Sequence, residues 1–126
     1  MPKYMLLIYG PARERAPEER SEQWPVWMEY TQSLRDAGVL VDGAPLHGVD
    51  TAATVRTRDG QQQVVDGPFA ETKEFLAGYY LLDCPDRESA LQHAARMPNL
   101  EYGSTEVRPV LEYGIAAADQ EAPAQT

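Results

Sequence analysis

A single cysteine, Cys84, stands among 126 residues. One thiol closes no internal disulfide and builds no thiolate metal cluster within a chain, so packing has to hold this fold. Its position beside Pro85, ahead of a helix, reads as that of a buried structural thiol. Histidine is almost as scarce. His47 and His93 are far apart in sequence and make no metal-ligand spacing. The glycines are scattered, with no phosphate-cradling loop, and no serine sits in a nucleophile elbow. Positive charge is short as well: 11 basic against 20 acidic side chains give a formal net charge of -9, which repels phosphate backbones and anionic membranes. We therefore expect no nucleic-acid partner, no membrane partner, no metal and no cofactor. Long apolar runs are missing too, none nearing the roughly 18 residues of a membrane span. Residues 1–9 run from basic to apolar, but the run is too short for a signal peptide and a densely charged stretch follows. The expectation is a first strand and a cytoplasmic protein.

Hydrophobic residues make up 43% of the chain, enough for one core in one domain. Residues 3–9 place Tyr4, Leu6 and Ile8 on one face and Met5, Leu7 and Tyr9 on the other, the pattern of a central strand. Gly10 and Pro11 end it, and residues 12–20 read as a charged surface loop. Residues 21–37 read as a helix capped by Ser21 and stopped by Gly38, with Trp24, Trp27, Met28, Thr31 and Leu34 on one face. Pro25 falls in its first turn or marks its true start. A short strand follows at 39–46. The Asp59-Gly60 pair between 52–57 and 62–66 signals a hairpin. Residues 75–83 form another strand, with Tyr79 and Leu81 facing opposite to Tyr80 and Leu82. Asp86 caps a second helix reaching Met97, whose stripe is Ala90, Leu91, Ala94 and Ala95; that leaves His93 in solvent. The last strand spans 105–112, and Pro109 within it marks a sheet edge or a bulge. Residues 115–126, rich in Ala, Gln and Pro, read as a disordered tail beyond a domain at 1–114.

The order is β-α-β-hairpin-β-α-β. It predicts an α+β, ferredoxin-like antiparallel sheet with two helices on one face and an added β-hairpin. Two helices cover only one face, yet large apolar and aromatic residues alternate on both. A second copy packed sheet against sheet is the economical cover, so a homodimer is expected.

The densest group of chemically capable residues is Asp66-Gly67-Pro68-Phe69-Ala70-Glu71-Thr72-Lys73-Glu74. Gly-Pro sets a turn, Phe69 is placed to anchor it in the core, and Glu71 and Glu74 flank Lys73. Near a cavity such a group does acid–base work; in solvent it is a rigid turn with hydrated charges. Glu106 and Arg108 alternate on the last strand and so share a face. If that face is the one opposite the helices, Arg108 can clamp a carboxylate beside Glu106; the competing reading is an interfacial ion pair fixing dimer register. The candidate proton carriers are Asp66 and Glu106. The candidate substrate-binding residues are Arg108, Lys73, Tyr79, Glu71 and Glu74. A small organic, anionic molecule suits them, and a non-catalytic sensing or interaction module is the competing reading.

The run from Asp66 to Glu74, followed by Gly78-Tyr79-Tyr80, resembles the signature of the YCII-related, or DGPF-domain, proteins. The similarity extends to Glu106-Val107-Arg108-Pro109 and to Tyr4-Met5-Leu6-Leu7-Ile8-Tyr9, covering residues 3–113. It implies a dimeric α/β-barrel, a group that also holds cofactor-free monooxygenases, lactone isomerases and haem-dependent enzymes, and for some members a link to sigma-factor regulation. Shorter YCII proteins carry a His–Asp pair. Pro11 and Trp27 stand at those positions here, so that chemistry does not carry over.

Overall fold

Along β1 (Lys3–Pro11) the pleat sends Tyr4, Leu6 and Ile8 to one side, where they are buried, and Met5, Leu7 and Tyr9 to the other, where they are half-buried. The structure, a computed structural model, describes residues 1–11, 16–69 and 73–111. After β1 come helix α1 (Pro17–Asp36) and strand β2 (Leu40–Pro45). A hairpin of β3 (Ala53–Arg58) and β4 (Gln61–Asp66) leads to β5 (Glu74–Asp83), helix α2 (Arg87–Ala94) and β6 (Ser104–Pro109). The main sheet has the order β2-β5-β1-β6, every neighbour antiparallel. This is the expected ferredoxin-like α+β arrangement, with the hairpin as a separate two-stranded ribbon.

Each helix links two strands that skip one position in the sheet, α1 joining β1 to β2 and α2 joining β5 to β6. Both helices settle on the Tyr4–Leu6–Ile8 side. Tyr30 and Leu34 from α1 and Ala90 and Ala94 from α2 pack there with Tyr80, Leu82, Cys84 and Met97. Leu6, Leu34 and Leu82 are fully buried, so truncating any of them to Ala costs roughly 2–5 kcal/mol. Cys84 is the buried structural thiol anticipated, and burial raises its pKa. None of the described helices is long and apolar enough to cross a membrane.

Several local expectations need correcting. Helix α1 begins at Pro17 rather than Ser21, with proline at a first-turn position where the missing N–H is harmless. Residues 17–20 are therefore helical, while 12–15 lie outside the described residues. Pro25 sits inside the helix, on its exposed side, where solvent can serve the Ser21 carbonyl. The buried face is Tyr30, Thr31 and Leu34, and Trp27 packs against it; Trp24 is 58% exposed and Met28 is exposed too. Trp24 lies in the helix's first half, and the buried residues all lie in its second. In α2, Asp86 caps as expected, its carboxylate accepting from Ser89 N at 2.8 Å, but Ala95 is exposed. His93 is half-buried rather than in solvent. Its carbonyl accepts from Tyr30 Oη at 2.7 Å, and its Nδ1 lies 3.0 Å from an Arg96 guanidinium nitrogen. Arginine only donates, so Nδ1 accepts and the ring is neutral. The tail expected at 115–126 lies outside the described residues.

The hairpin closes through Asp59 and Gly60, both at positive φ (51° and 74°), as a two-residue turn matching the strand twist demands. It adds nothing to the core: Val55 and Val64, paired across it, are 60% and 70% exposed. Its base is tied by Gly67 N to Ala52 O (2.8 Å) and by Thr54 Oγ1 to Gly67 O (2.9 Å). At the opposite edge, Asn99 is 1% exposed. Its amide donates to the carbonyls of Tyr9 and Ser104, and Thr105 Oγ1 donates to its Oδ1. Gly103 beside it has no room for a Cβ, which would overlap the Tyr9 carbonyl oxygen.

Two predictions follow from this packing. Asn99→Ala strands two carbonyls in a buried site and should lower unfolding free energy in urea by about 2–4 kcal/mol, without altering the sheet's circular dichroism. Burial, then Arg96, pushes the His93 pKa below its ordinary 6.5. The unfolded chain therefore takes up the proton more readily than the folded one, so this contribution to stability is present above pH 6.5 and lost as pH falls below it. Thermal melting between pH 7 and pH 5 should show a smaller loss of Tm in His93→Gln than in the parent; equal slopes would contradict the assignment.

Candidate functional site

On the face away from the helices the strand pairings order the side chains into rows, because directly paired residues share a face. Lys3 pairs with Asp83, and Lys3 Nζ stands 3.2 Å from Asp83 Oδ1. Met5 lies between Leu81 and Arg108, Leu7 between Tyr79 and Glu106, and Tyr9 between Leu76 and Ser104. The face is thus apolar around Met5, Leu7 and Leu81, with the Lys3–Asp83 pair at one end and polar residues along the β6 edge. None of the described helices packs on it.

Leu76 reaches this face only through an irregularity. Ile8 pairs with Gly78 but Tyr9 pairs with Leu76, leaving Ala77 as the extra residue of a bulge. Strict alternation from Tyr80 and Gly78 would have turned Leu76 toward the helices. The bulged Ala77 carbonyl accepts from Leu46 N at 2.8 Å, which holds the segment after β2 against it. Between that segment, the base of the hairpin and the start of β5 lies an open cleft of about 430 Å³, lined by Leu46, His47, Val49, Pro68, Phe75 and Leu76 among others.

The sequence-predicted residues divide into groups. Glu106 and Arg108 stand on the face opposite the helices, and Tyr79 shares the Glu106 row with Leu7 between them. Glu74, opposite Pro11 at the far end of β1, accepts a hydrogen bond from Ser104 Oγ. Asp66 ends β4 on the hairpin arm, exposed, and Lys73 is exposed just ahead of β5. Among the described residues no hydrogen bond or ion pair joins Asp66 or Lys73 to the Glu106 group, and Glu71 lies outside the described residues. Phe69 does not anchor its turn in the core; it is 83% exposed. Gly67 at φ 106° and the bonds to Ala52 and Thr54 fix that turn instead. No three His, Cys, Asp or Glu side chains among the described residues converge to hold a metal ion.

Tyr9 is the residue that sequence reasoning missed. Its hydroxyl donates to Glu106 Oε1 at 3.3 Å. Its pKa is raised, first by burial, then by the Glu106 charge and hydrogen bond, while the Arg108 cation opposes them. The signal that could have found it is alternation: Tyr9 follows Met5 and Leu7 on one face of its strand, the face that Glu106 shares if it lies opposite the helices. What remained hidden was the register that puts it diagonally beside Glu106. Arg108 forms no hydrogen bond or ion pair among the described residues. The arrangement supplies a neutral phenol on a carboxylate, with a guanidinium two residues along that is unpaired among the described residues. That set can hold an anion and move a proton beside it.

The electrostatic assignment predicts opposite effects of two substitutions. In a near-ultraviolet absorbance titration, with Tyr9→Phe identifying the Tyr9 component, Glu106→Gln should lower the Tyr9 pKa part of the way. Arg108→Ala should raise it further. Shifts of the same sign in both variants would contradict it.

Residues 2–114 match the YCII-related domain. An uncharacterised protein of Rhizobium meliloti (strain 1021) is 46% identical over 115 residues, which is 87% of this chain and 93% of that protein. The match takes in both helices, both sheets and the bulged face just described, and on this evidence the chain belongs to the YCII-related family.

Proposed function

We propose that this YCII-related protein binds a small organic anion on the open sheet face and transforms it by proton transfer, within a hollow closed by a second copy of the chain. The observation that carries the reading is Arg108, a guanidinium without a partner among the described residues, beside the Tyr9–Glu106 pair on a face that no described helix covers. Arg108 would take the negative charge of the ligand, planar donors to carboxylate oxygens being its best geometry. Glu106 would accept a proton from the bound molecule, Tyr9 would hold the carboxylate in place, and Tyr79, across Leu7, would orient the ligand through its hydroxyl. The remainder of the face supports the dimer. Met5, Leu7, Tyr79 and Leu81 are half-buried and contiguous, an apolar surface that suits packing against a copy of itself about a two-fold axis.

The test has two arms. In amide NMR titrations with acetate and benzoate, we expect shifts clustered at Leu7, Tyr9, Tyr79 and Glu106, lost in Arg108→Ala; shifts scattered over the surface would refute the site. Sedimentation equilibrium at micromolar concentration should show a dimer that Leu81→Glu dissociates. A well-folded monomeric parent would refute the enclosing partner.

A further inference from the structure

We infer that the molecule held on the open face is amphipathic, an acid whose charged end meets Arg108 and Glu106 and whose apolar body lies in the cleft at the base of the hairpin. This rests on the anion reading above and adds the class of ligand to it. Two independent features of the fold meet at Leu76. It lines the 430 Å³ cleft, and it pairs directly with Tyr9, whose hydroxyl touches Glu106. Leu76 is thus shared by the cleft and by the row of side chains that carries the polar group.

The lining has the matching chemistry. Leu46, Val49, Pro68, Phe75 and Leu76 present hydrocarbon, and Leu46 and Leu76 are 50% and 41% exposed. The cleft sits in the lower part of the about 300–1,000 Å³ range of small-molecule sites, with mostly apolar walls that also include His47 and Thr51. Distance sets the size of the guest. From Leu76 to Arg108 is two strand spacings and four residues along the strand, about 16 Å between backbones; the long arginine side chain covers part of that distance, and an acyl chain of about eight carbons or a bicyclic aromatic acid spans the rest. Charge sets its polarity. At this end Glu106 is already engaged by the Tyr9 hydroxyl, whereas Arg108, two residues further along β6, has no hydrogen bond or ion pair among the described residues, so the head is an anion rather than an amine. The bulge at Ala77 is what makes the site continuous, since it turns Leu76 from the helix side to Tyr9's side and, through the Leu46 amide, sets the opposite wall of the cleft.

Isothermal titration calorimetry with butyrate, octanoate and octylamine tests the inference on the full chain. Octanoate should bind at least about tenfold more tightly than butyrate, each added methylene leaving water for the cleft, and octylamine should not bind. Leu46→Asp and Leu76→Asp change exposed positions, so circular dichroism should be unaltered. Both should reduce octanoate to the affinity of butyrate and leave butyrate unchanged, whereas Arg108→Ala should weaken both acids about tenfold. If octanoate binds no better than butyrate and both are lost in Arg108→Ala, the cleft assignment is overturned and the anion site stands. If octanoate binding is indifferent to Arg108→Ala, or octylamine binds equally well, the anion reading is overturned, and the acid head with it. If Leu76→Asp leaves octanoate binding intact but dissociates a dimer, the cleft receives a second copy of the chain and the inference is overturned.

Discussion

One-sided burial of the central strand governs this molecule. Tyr4, Leu6 and Ile8 draw both helices to one face of the sheet, because each must leave water against another apolar surface. Met5, Leu7 and Tyr9, one residue out of phase, are left to whatever meets the other face. The site, the cleft and the surface suited to a second copy all belong to that remainder. A sheet with helices on both faces would have hidden them.

On the open face the β6 edge carries charged residues, while the middle strands carry the apolar ones at Met5, Leu7 and Leu81. On β6, an edge strand ending at Pro109, Glu106 and Arg108 can be charged because both side chains are exposed. Their placement relies on uncharged groups beneath. Asn99 ties the carbonyls of Tyr9 and Ser104 together, and Gly103 lets the backbone close up where any Cβ would collide. Tyr9 is held at Glu106 by these contacts, which gives a buried amide and a glycine a part in positioning the polar group. The helix side has its own polar set in Tyr30, His93 and Arg96. It serves packing, with the neutral imidazole accepting from the guanidinium.

The hairpin and the turn after it show where local chemistry and tertiary position part. The Asp-Gly turn forms where its composition demands, and Gly67 takes the positive φ that the next turn needs. Yet the ribbon buries none of its valines, and Phe69 projects into solvent. Hydrophobicity alone pointed Phe69 inward. A two-stranded ribbon that hangs outside the sheet has no core of its own to receive it, so the turn is held by backbone hydrogen bonds instead. The same limit applies to α1, where a stripe counted along the whole helix overlooked that only its second half lies over the sheet, leaving Trp24 outside.

Composition and periodicity by themselves determined the class of this protein: six strands and two helices in their order, the faces of Tyr79 and Tyr80, the shared face of Glu106 and Arg108, and a buried Cys84, because each follows from local alternation, turn chemistry or hydrophobicity. Tertiary structure decided which of the capable residues meet. Glu106 found Tyr9 through the β1–β6 register, Asp66 was carried off on the hairpin arm, and one extra residue in β5 moved Leu76 from the core side to the open side. Register and bulges are set by contacts between segments distant along the chain, and no local pattern of residues encodes them.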